Sequence, residues 1–446
     1  MISLHNSHPS NGGCRSESNL VLNNGLMLLP GRKVCKGDIV IKGGKIAEIL
    51  ITPEERALSS RGIDLAGAIV MPGIVNAHCH APMTLLRGVG GGLPLNRWLN
   101  ESIFPIEAKL TDEDVAAGMT WGAMELLAGG VTCVADMYEH SLAGAAALAE
   151  TGIKGNVCRP GLAFGDGTPK GRLEECIDFA RSFKDFNNRL VADICIHSEY
   201  LTNERFCRAL AAANREFKRP LNAHVSETKR EHQECIARHG KTPIAYLADT
   251  GLLDYGGYAA HCVWCTDDDF KIMAERNVSL VHNPTSNMKL GSGFARLCRA
   301  MELGVNVALG TDGPASNDNL DMFEEMHLTS LIHKGVNLDP TVLSPWEIIE
   351  IATVNGARAL ARSDTGEIAP GKAADLCIVA LDKVHLNPCI DAANLIVHSA
   401  HASDVLMTIV DGRIVYERYP DQAWADINHE RAKFDFEISV KRVRAS

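Results

Sequence analysis

The chain has 446 residues, 46% of them hydrophobic, with 55 acidic against 44 basic side chains and a formal net charge of −11. This length and apolar fraction fit one large domain plus a smaller one and exclude a disordered, collagen-like or coiled-coil chain. The acidic balance, without any basic stripe, argues against nucleic acid and leaves a small or neutral substrate.

Residues 1–18 are polar and lack the apolar core of a secretory leader, so a flexible N-terminal tail is expected. From residue 19 to about 70, "NLVLNNGLMLL", "GDIVIKGGKIAEIL" and "GIDLAGAIV" read as short strands broken by turn residues. The texture changes at residue 71. Eight short apolar runs follow, separated by longer helical patterns: "GIVNAHCH", "VTCVADM", "KGNVCRPG", "LVADICIHS", "PLNAHVSE", "YAAHCVW", "VSLVHNP" and "VNVALGTDG". In the helical stretch "TDEDVAAGMTWGAMELLAGG", Thr111 and Asp114 have capping-box spacing, and Gly129 and Gly130 end it. Eight β/α units predict a (β/α)8 TIM barrel of the α/β class over 71–367. An open doubly wound sheet would carry a phosphate-binding glycine turn after an early strand. "RGVGGG" (Arg87–Gly92) lies outside that frame and is expected to be a mobile loop. Strand texture returns in "GKAADLCIVAL" and "DVLMTIVDGRIVYERY". Segments 19–70 and 368–446 are therefore expected to form a composite β-sandwich domain with a C-terminal tail, flanking a metal-dependent catalytic barrel. No apolar run approaches the roughly 18 residues of a membrane span.

Polar residues recur at the C-terminal ends of the eight runs: His78, His80, Asp136, Arg159, His197, His224, His261, His282 and Asp312. In a barrel those ends converge on the face where active sites form. His78 and His80 are two apart, so on a strand both imidazoles share a face, and Cys79 points to the layer against the helices. His224 and Asp312 complete a nitrogen and oxygen set suited to zinc, iron or manganese. No lysine on the fourth run can bridge a second ion, so a mononuclear site is expected. Such an ion activates a water. Asp312 is placed to accept its proton, His261 to orient it, and Glu227 to act as general acid/base. The fourteen cysteines follow no disulfide framework and read as reduced thiols of a cytoplasmic protein. "CVWC" (Cys262–Cys265) has no second pair and reads as structural. "HSE" (His197–Glu199) lacks the downstream P-C-x-x-C of cytidine deaminases, and Asp136 is expected to serve structure.

The blocks "PGIVNAHCHAPMTLLRG", "IFPIEAKLTDEDV", "HVSET", "AHCVW", "HNPTSNMKLGSG" and "LGTDGPASNDNLDMFEEM" resemble the amidohydrolase superfamily. Within it, they are similar to the 5-methylthioadenosine/S-adenosylhomocysteine deaminases. The resemblance runs over nearly the whole chain after residue 19. It implies one zinc, with Fe2+ or Mn2+ as substitutes, held by His78, His80, His224 and Asp312. It implies water activation by His261 and Asp312, and proton transfer from Glu227 to adenine N1 as C6 is attacked. It also implies ribose recognition by Glu107, contacts to the purine and the 5′ substituent from Arg159, Arg172 and His197, and Trp98 as a wall. The expected reaction is hydrolytic deamination of a 5′-modified adenosine to its inosine analogue and ammonia. S-adenosylhomocysteine, 5′-methylthioadenosine, adenosine and 5′-deoxyadenosine all remain open as substrates. The implied protein is a cytoplasmic homo-oligomer, dimer or tetramer, acting on a small nucleoside without nucleic acid or membrane. The alternatives are guanine or pterin deamination, s-triazine dechlorination, and a non-catalytic scaffold. The Gly-rich 88–92 segment and Glu199 depart from the family's usual pattern near the 5′ region.

Overall fold

The computed structural model describes residues 19–57, 59–60, 62–163, 171–182, 189–419 and 421–445. The expected N-terminal tail, 1–18, lies outside them. The chain opens with five strands, β1 (Leu20–Leu29), β2 (Lys33–Lys42), β3 (Lys45–Leu50), β4 (Ile63–Asp64) and β5 (Ile69–Pro72). β1 pairs antiparallel with β2 and parallel with β5. Gly73 alone separates β5 from the next strand. A Cβ there would stand 2.2 Å from Thr132 Oγ1, so a side chain has no room where the sheet passes into the barrel.

The barrel strands are β6 (Ile74–Cys79), β7 (Val131–Met137), β8 (Lys154–Cys158), β9 (Leu190–Ala192), β10 (Ile194–Ser198), β11 (Leu221–Val225), β12 (Gly257–His261), β13 (Val278–His282) and β14 (Val307–Leu309). Seven of the eight expected runs form one strand each. The fourth, "LVADICIHS", breaks at Asp193 into β9 and β10. The Asp193 carboxylate accepts from Asn156 Nδ2 at 2.6 Å, Arg219 Nε at 2.8 Å and the Tyr258 hydroxyl at 2.9 Å. Its backbone N–H donates to Val157 O at 3.1 Å. That anchoring fixes the residue at the point where β9 ends and β10 begins. Strands run in the orders β6-β7-β8-β9 and β10-β11-β12-β13-β14, with parallel neighbours. Bridges between Gly161 and Ile196 and between Cys79 and Asp312 close the ring. Nearly every barrel-strand residue is buried, and each enclosed Val, Leu or Ile contributes about 1.5–3 kcal/mol. The helix Asp112–Ala128 carries the expected capping box of Thr111 and Asp114 and ends at Gly129.

After the barrel come β15 (Leu376–Val379), β16 (Val405–Val410), β17 (Arg413–Glu417) and β18 (Ala423–Trp424). β15 runs antiparallel to both β5 and β16, joining the two ends of the chain in one nine-stranded sheet. The β-sandwich is this single sheet folded over itself. Met27, Ile39, Ile41 and Ile46 of one half share a core with Leu376, Ile378, Met407 and Ile409 of the other. Where sheet meets barrel, Lys154 at the start of β8 pairs with Asp375 and Asp411 at 2.7 Å each. Thr365 Oγ1 donates to Asp375 at 2.6 Å, and Arg362 donates to Asn156 Oδ1 at 2.6 Å and Gly155 O at 2.7 Å. The last helix, His429–Ala445, lies on Asp112–Ala128: Phe436 stacks on Trp121 at 4.8 Å, and Arg442 Nε donates to Asp114 at 3.0 Å. Among the described residues, no helix is long and apolar enough to cross a membrane.

Candidate active site

The C-terminal ends of the barrel strands open on a cavity of about 450 Å³. At its base, one ligand atom each from His78, His80, His224 and Asp312 lie within 4.8 Å of one another. The strand period sets the first pair: the His78 and His80 rings sit 4.9 Å apart. Cys79 between them is fully buried in the apolar core, and burial pushes its thiol well above the ordinary range.

Hydrogen bonds aim the rings. His80 Nδ1 donates to Met137 O at 2.5 Å and His224 Nδ1 donates to His197 O at 2.7 Å. Their Nε2 atoms, 3.2 Å apart, therefore turn inward. Asp312 Oδ2 accepts from Ser286 Oγ at 2.6 Å and Ser316 Oγ at 2.8 Å, while Oδ1 stands 3.2 Å from His80 Nε2 and 3.6 Å from His78 Nε2. Both ring nitrogens of His78 are buried without a hydrogen-bond partner among the described residues. A buried polar atom left so costs about 1–3 kcal/mol. A cation facing Nε2 removes that cost, and three imidazoles with one carboxylate are the donors a divalent ion takes. Burial holds His78 down at about 4. Against the cost of burial, Asp312 draws His80 up to about 9, and the two histidines hold Asp312 well below the carboxylate range.

His261 and Glu227 complete the base of the cavity. His261 Nδ1 donates to Asn287 Oδ1 at 2.8 Å, and its Nε2 stands 3.9 Å from Glu227 Oε2. His261 and Asp312 have φ of 72° and 63°. Side chains other than glycine pay about 1–3 kcal/mol for sparsely populated backbone, and here that backbone carries both at the strand exits. Glu227 is fixed through its neighbour. The Glu231 carboxylate accepts from the backbone N–H of Ser226 at 2.9 Å and of Glu227 at 2.8 Å, and it also caps the helix Lys229–His239 with Thr228. Burial pushes the Glu227 carboxyl above its usual range, with His261 opposing.

Trp98, Glu107, Arg172 and His197 all line the cavity. Trp98 Nε1 donates to Val89 O at 3.1 Å, inside the Gly-rich segment expected as a loop. That segment is a run of turns with Gly88, Gly90 and Gly92 at positive φ. Burial raises the Glu107 carboxyl, and the Tyr138 hydroxyl beside it opposes. Burial holds the His197 imidazole down at about 3. Arg159 is the exception to the expected set. It is not among the residues of the cavity wall, and its Nε donates to Glu175 at 3.0 Å. The cause is local: Glu175, one turn into the helix Arg172–Ser182, offers a carboxylate closer than the cavity does. His282 also lies outside, packed on His333 at 5.2 Å. Asp136 accepts from Ala81 N at 2.6 Å, a structural role, and Glu199 is consumed by Arg238 and His239 at 2.6 and 2.8 Å. Cys262 and Cys265 are buried free thiols.

Several groups escaped sequence reasoning. Ser286 and Asn287 lie in "HNPTSN" and Ser316 in "TDGPASN", segments already singled out, but a serine has no signature of its own. Glu139 and Tyr138 follow directly on β7 and line the cavity. Their position past a barrel strand's C-terminal end was the available signal.

Comparison with known proteins agrees with this geometry. The amidohydrolase family model matches residues 69–415. A 5-methylthioadenosine/S-adenosylhomocysteine deaminase of Acetivibrio thermocellus is 42% identical over 86% of this chain and 89% of its own length. A 5′-deoxyadenosine deaminase of Methanosarcina mazei is 41% identical over 86% and 89%. An adenosine deaminase from Xanthomonas campestris, solved with bound zinc, superposes with a TM-score of 0.90 at 30% identity, covering 96% of this chain and 99% of that one. With its H-x-H strand, His224 and the Asp312 that closes the barrel, the chain belongs to the amidohydrolase family.

Proposed function

We propose that the protein hydrolytically deaminates a 5′-modified adenosine, giving the inosine analogue and ammonia. The observation that carries this reading is one cavity lined by His80, His224 and Asp312, with His78 buried beside them, and shared by the raised carboxyl of Glu227 and the carboxyl of Glu107. The printed activities of the relatives point the same way. His78, His80, His224 and Asp312 would hold zinc, the ion in the Xanthomonas campestris relative. Such an ion supplies Lewis-acid activation of the attacking water.

The chain's own residues do the rest. His261, fixed by Asn287, orients the water, and Asp312 takes its proton. Glu227 hands a proton to purine N1, which draws electron density from C6 as the C–O bond forms. The proton that Asp312 took passes to the exocyclic nitrogen, the C–N bond breaks, ammonia leaves, and the proton released from the C6 hydroxyl as C6=O forms restores the Glu227 carboxyl. A carboxyl whose hold on its proton is strengthened by burial is suited to that first transfer. Glu107 accepts from the ribose hydroxyls, Trp98 walls the cavity, and His197 and Arg172 meet the purine and the 5′ substituent. In this reading 71–367 is the catalytic barrel, 19–70 with 368–446 the composite domain beside it, and the protein a cytoplasmic homo-oligomer.

The test is a panel of adenosines, including 5′-methylthioadenosine, S-adenosylhomocysteine and 5′-deoxyadenosine. Loss of the adenine absorbance band is followed together with ammonia release in the zinc-loaded protein. Absence of turnover across the panel refutes the reading. A Glu107→Ala variant that kept full activity on the best substrate would point to a base without ribose. Metal analysis of protein purified without chelator identifies the ion, and light scattering the oligomer.

A further inference from the structure

The two oxygens of Glu227 have different neighbours. Oε2 stands 3.9 Å from His261 Nε2. Oε1 is met by the Ser292 hydroxyl, which donates to it at 3.4 Å. Ser292 is not a residue of the cavity wall, is 6% exposed, and makes no other side-chain hydrogen bond among the described residues. Its backbone is pinned on both sides. The N–H donates to Asn287 O at 2.8 Å, and the carbonyl accepts from Trp264 Nε1 at 3.0 Å. The flanking Gly291 and Gly293 have φ of 68° and 117°, backbone that favours glycine. Trp264 also grips the acid's side of the pair, since its N–H donates to Ser226 O at 2.9 Å. One tryptophan of the "CVWC" stretch thus ties serine and acid into a single frame.

We infer that Ser292 is a positioning residue for Glu227: its hydroxyl occupies Oε1, so that Oε2 carries the acid proton, and it holds the carboxylate left when that proton has gone to purine N1. This rests on the deaminase reading and deepens it. A neutral carboxyl can carry its proton on either oxygen. On Oε1 the proton would point at Ser292, a residue outside the cavity wall, and a hydroxyl donating there removes that choice. In the transfer the O–H bond at Oε2 breaks, the N1–H bond forms, and the electron pair stays on the carboxylate. At 3.4 Å the serine bond is longer than the roughly 2.7–2.8 Å usual for a hydroxyl donor. It has slack to close on an anion, because bonds to a carboxylate are shorter and stronger than bonds to a neutral oxygen. Its gain therefore arrives as the proton leaves Glu227, in the transition state and not in the bound substrate. A contribution of that kind acts on kcat and spares KM.

The experiment is a double-mutant cycle on the zinc-loaded protein, with the best adenosine of the panel as substrate and kcat, KM and bound zinc as readouts. Ser292→Ala should lower kcat by about tenfold, the scale of a hydrogen bond to a charged group, with KM little changed and zinc retained. Glu227→Gln has no acid proton to place. In that background, measured with enzyme in excess, adding Ser292→Ala should change the rate by less than about twofold. A disturbed loop would instead cost the same factor in both backgrounds, and equal factors overturn the inference. So does an unchanged kcat in Ser292→Ala, or a loss carried by KM. Should Ser292→Ala not fold, Ser292→Cys, close in volume and with a weakly donating thiol, carries the same cycle. Deamination by the wild type with additive losses in the cycle sinks this inference alone. No turnover of any adenosine sinks the deaminase reading with it.

Discussion

The two ends of the barrel both bury charge, and they treat it in opposite ways. At the N-terminal end Lys154 is ringed by Asp375 and Asp411, Asp375 is met by Thr365, and Arg362 donates to Asn156 and Gly155. At the C-terminal end the His78 ring is as deeply enclosed and has no hydrogen-bond partner at either nitrogen among the described residues, and His261 and Asp312 sit on left-handed backbone. One end is complete in itself and holds the nine-stranded sheet to the barrel. The other is incomplete in itself and is finished by what binds there. Burial alone therefore does not mark a functional site; here the unpartnered nitrogens of His78 do so only together with the ligand atoms gathered beside them, since His282 Nδ1 is equally unpartnered among the described residues and lies outside the cavity.

That contrast can be broken or sharpened by substitution. His78→Ala should abolish bound metal and deamination together while the protein stays folded, read by metal analysis and circular dichroism. Retention of both would break the contrast at its centre. Glu227→Gln should keep the metal and lower kcat by about 10²–10⁴-fold, the range of a lost general acid–base group. Lys154→Met at the opposite end should act on stability instead. Leaving Asp375 buried without its cation costs about 3–5 kcal/mol in a denaturant titration, with kcat per folded molecule little changed. A large fall in kcat there, with stability intact, would show that the two ends are not separate in kind. Cys79→Ala, between two ligands yet facing the core, should cost about 1 kcal/mol and leave the metal in place. The smallest effect is expected at Arg159. Arg159→Ala should move kcat/KM for 5′-methylthioadenosine by less than about threefold, since its direct bonds are surface ion pairs worth about 0–1 kcal/mol.

Much of the barrel was legible because its signals are periodic. The eight apolar runs, the Thr111 capping box and the two-residue spacing of His78 and His80 each follow from local geometry, and each appears in the structure. So do the inward position of His224 and Asp312 and the outward one of Cys79. What could not be read is decided by partners distant in sequence. The break at Asp193 is anchored by Asn156, Arg219 and Tyr258, and no pattern within "LVADICIHS" announces them. Arg159 ends a strand as a cavity residue would, but Glu175 captures it from a helix that follows. Glu139 went unnoticed because a single glutamate past a strand looks like any solvated loop residue until its bonds to Arg172 are seen. The strands of the flanking domain were visible in the sequence. Their union into one folded sheet was not, since it depends on the β5–β15 pairing of residues 300 positions apart in order of magnitude.

The bridge that closes the ring bears on what a bound ion can do. Asp312 N donates to His78 O at 3.0 Å, and Cys79 pairs with Asp312. The first and last barrel strands are thus stitched together by the very residues that cradle the ion. The seam and the socket are one object. The Asp312–His78 closure stands on backbone hydrogen bonding, so an ion held by the two side chains would brace a seam that is already closed.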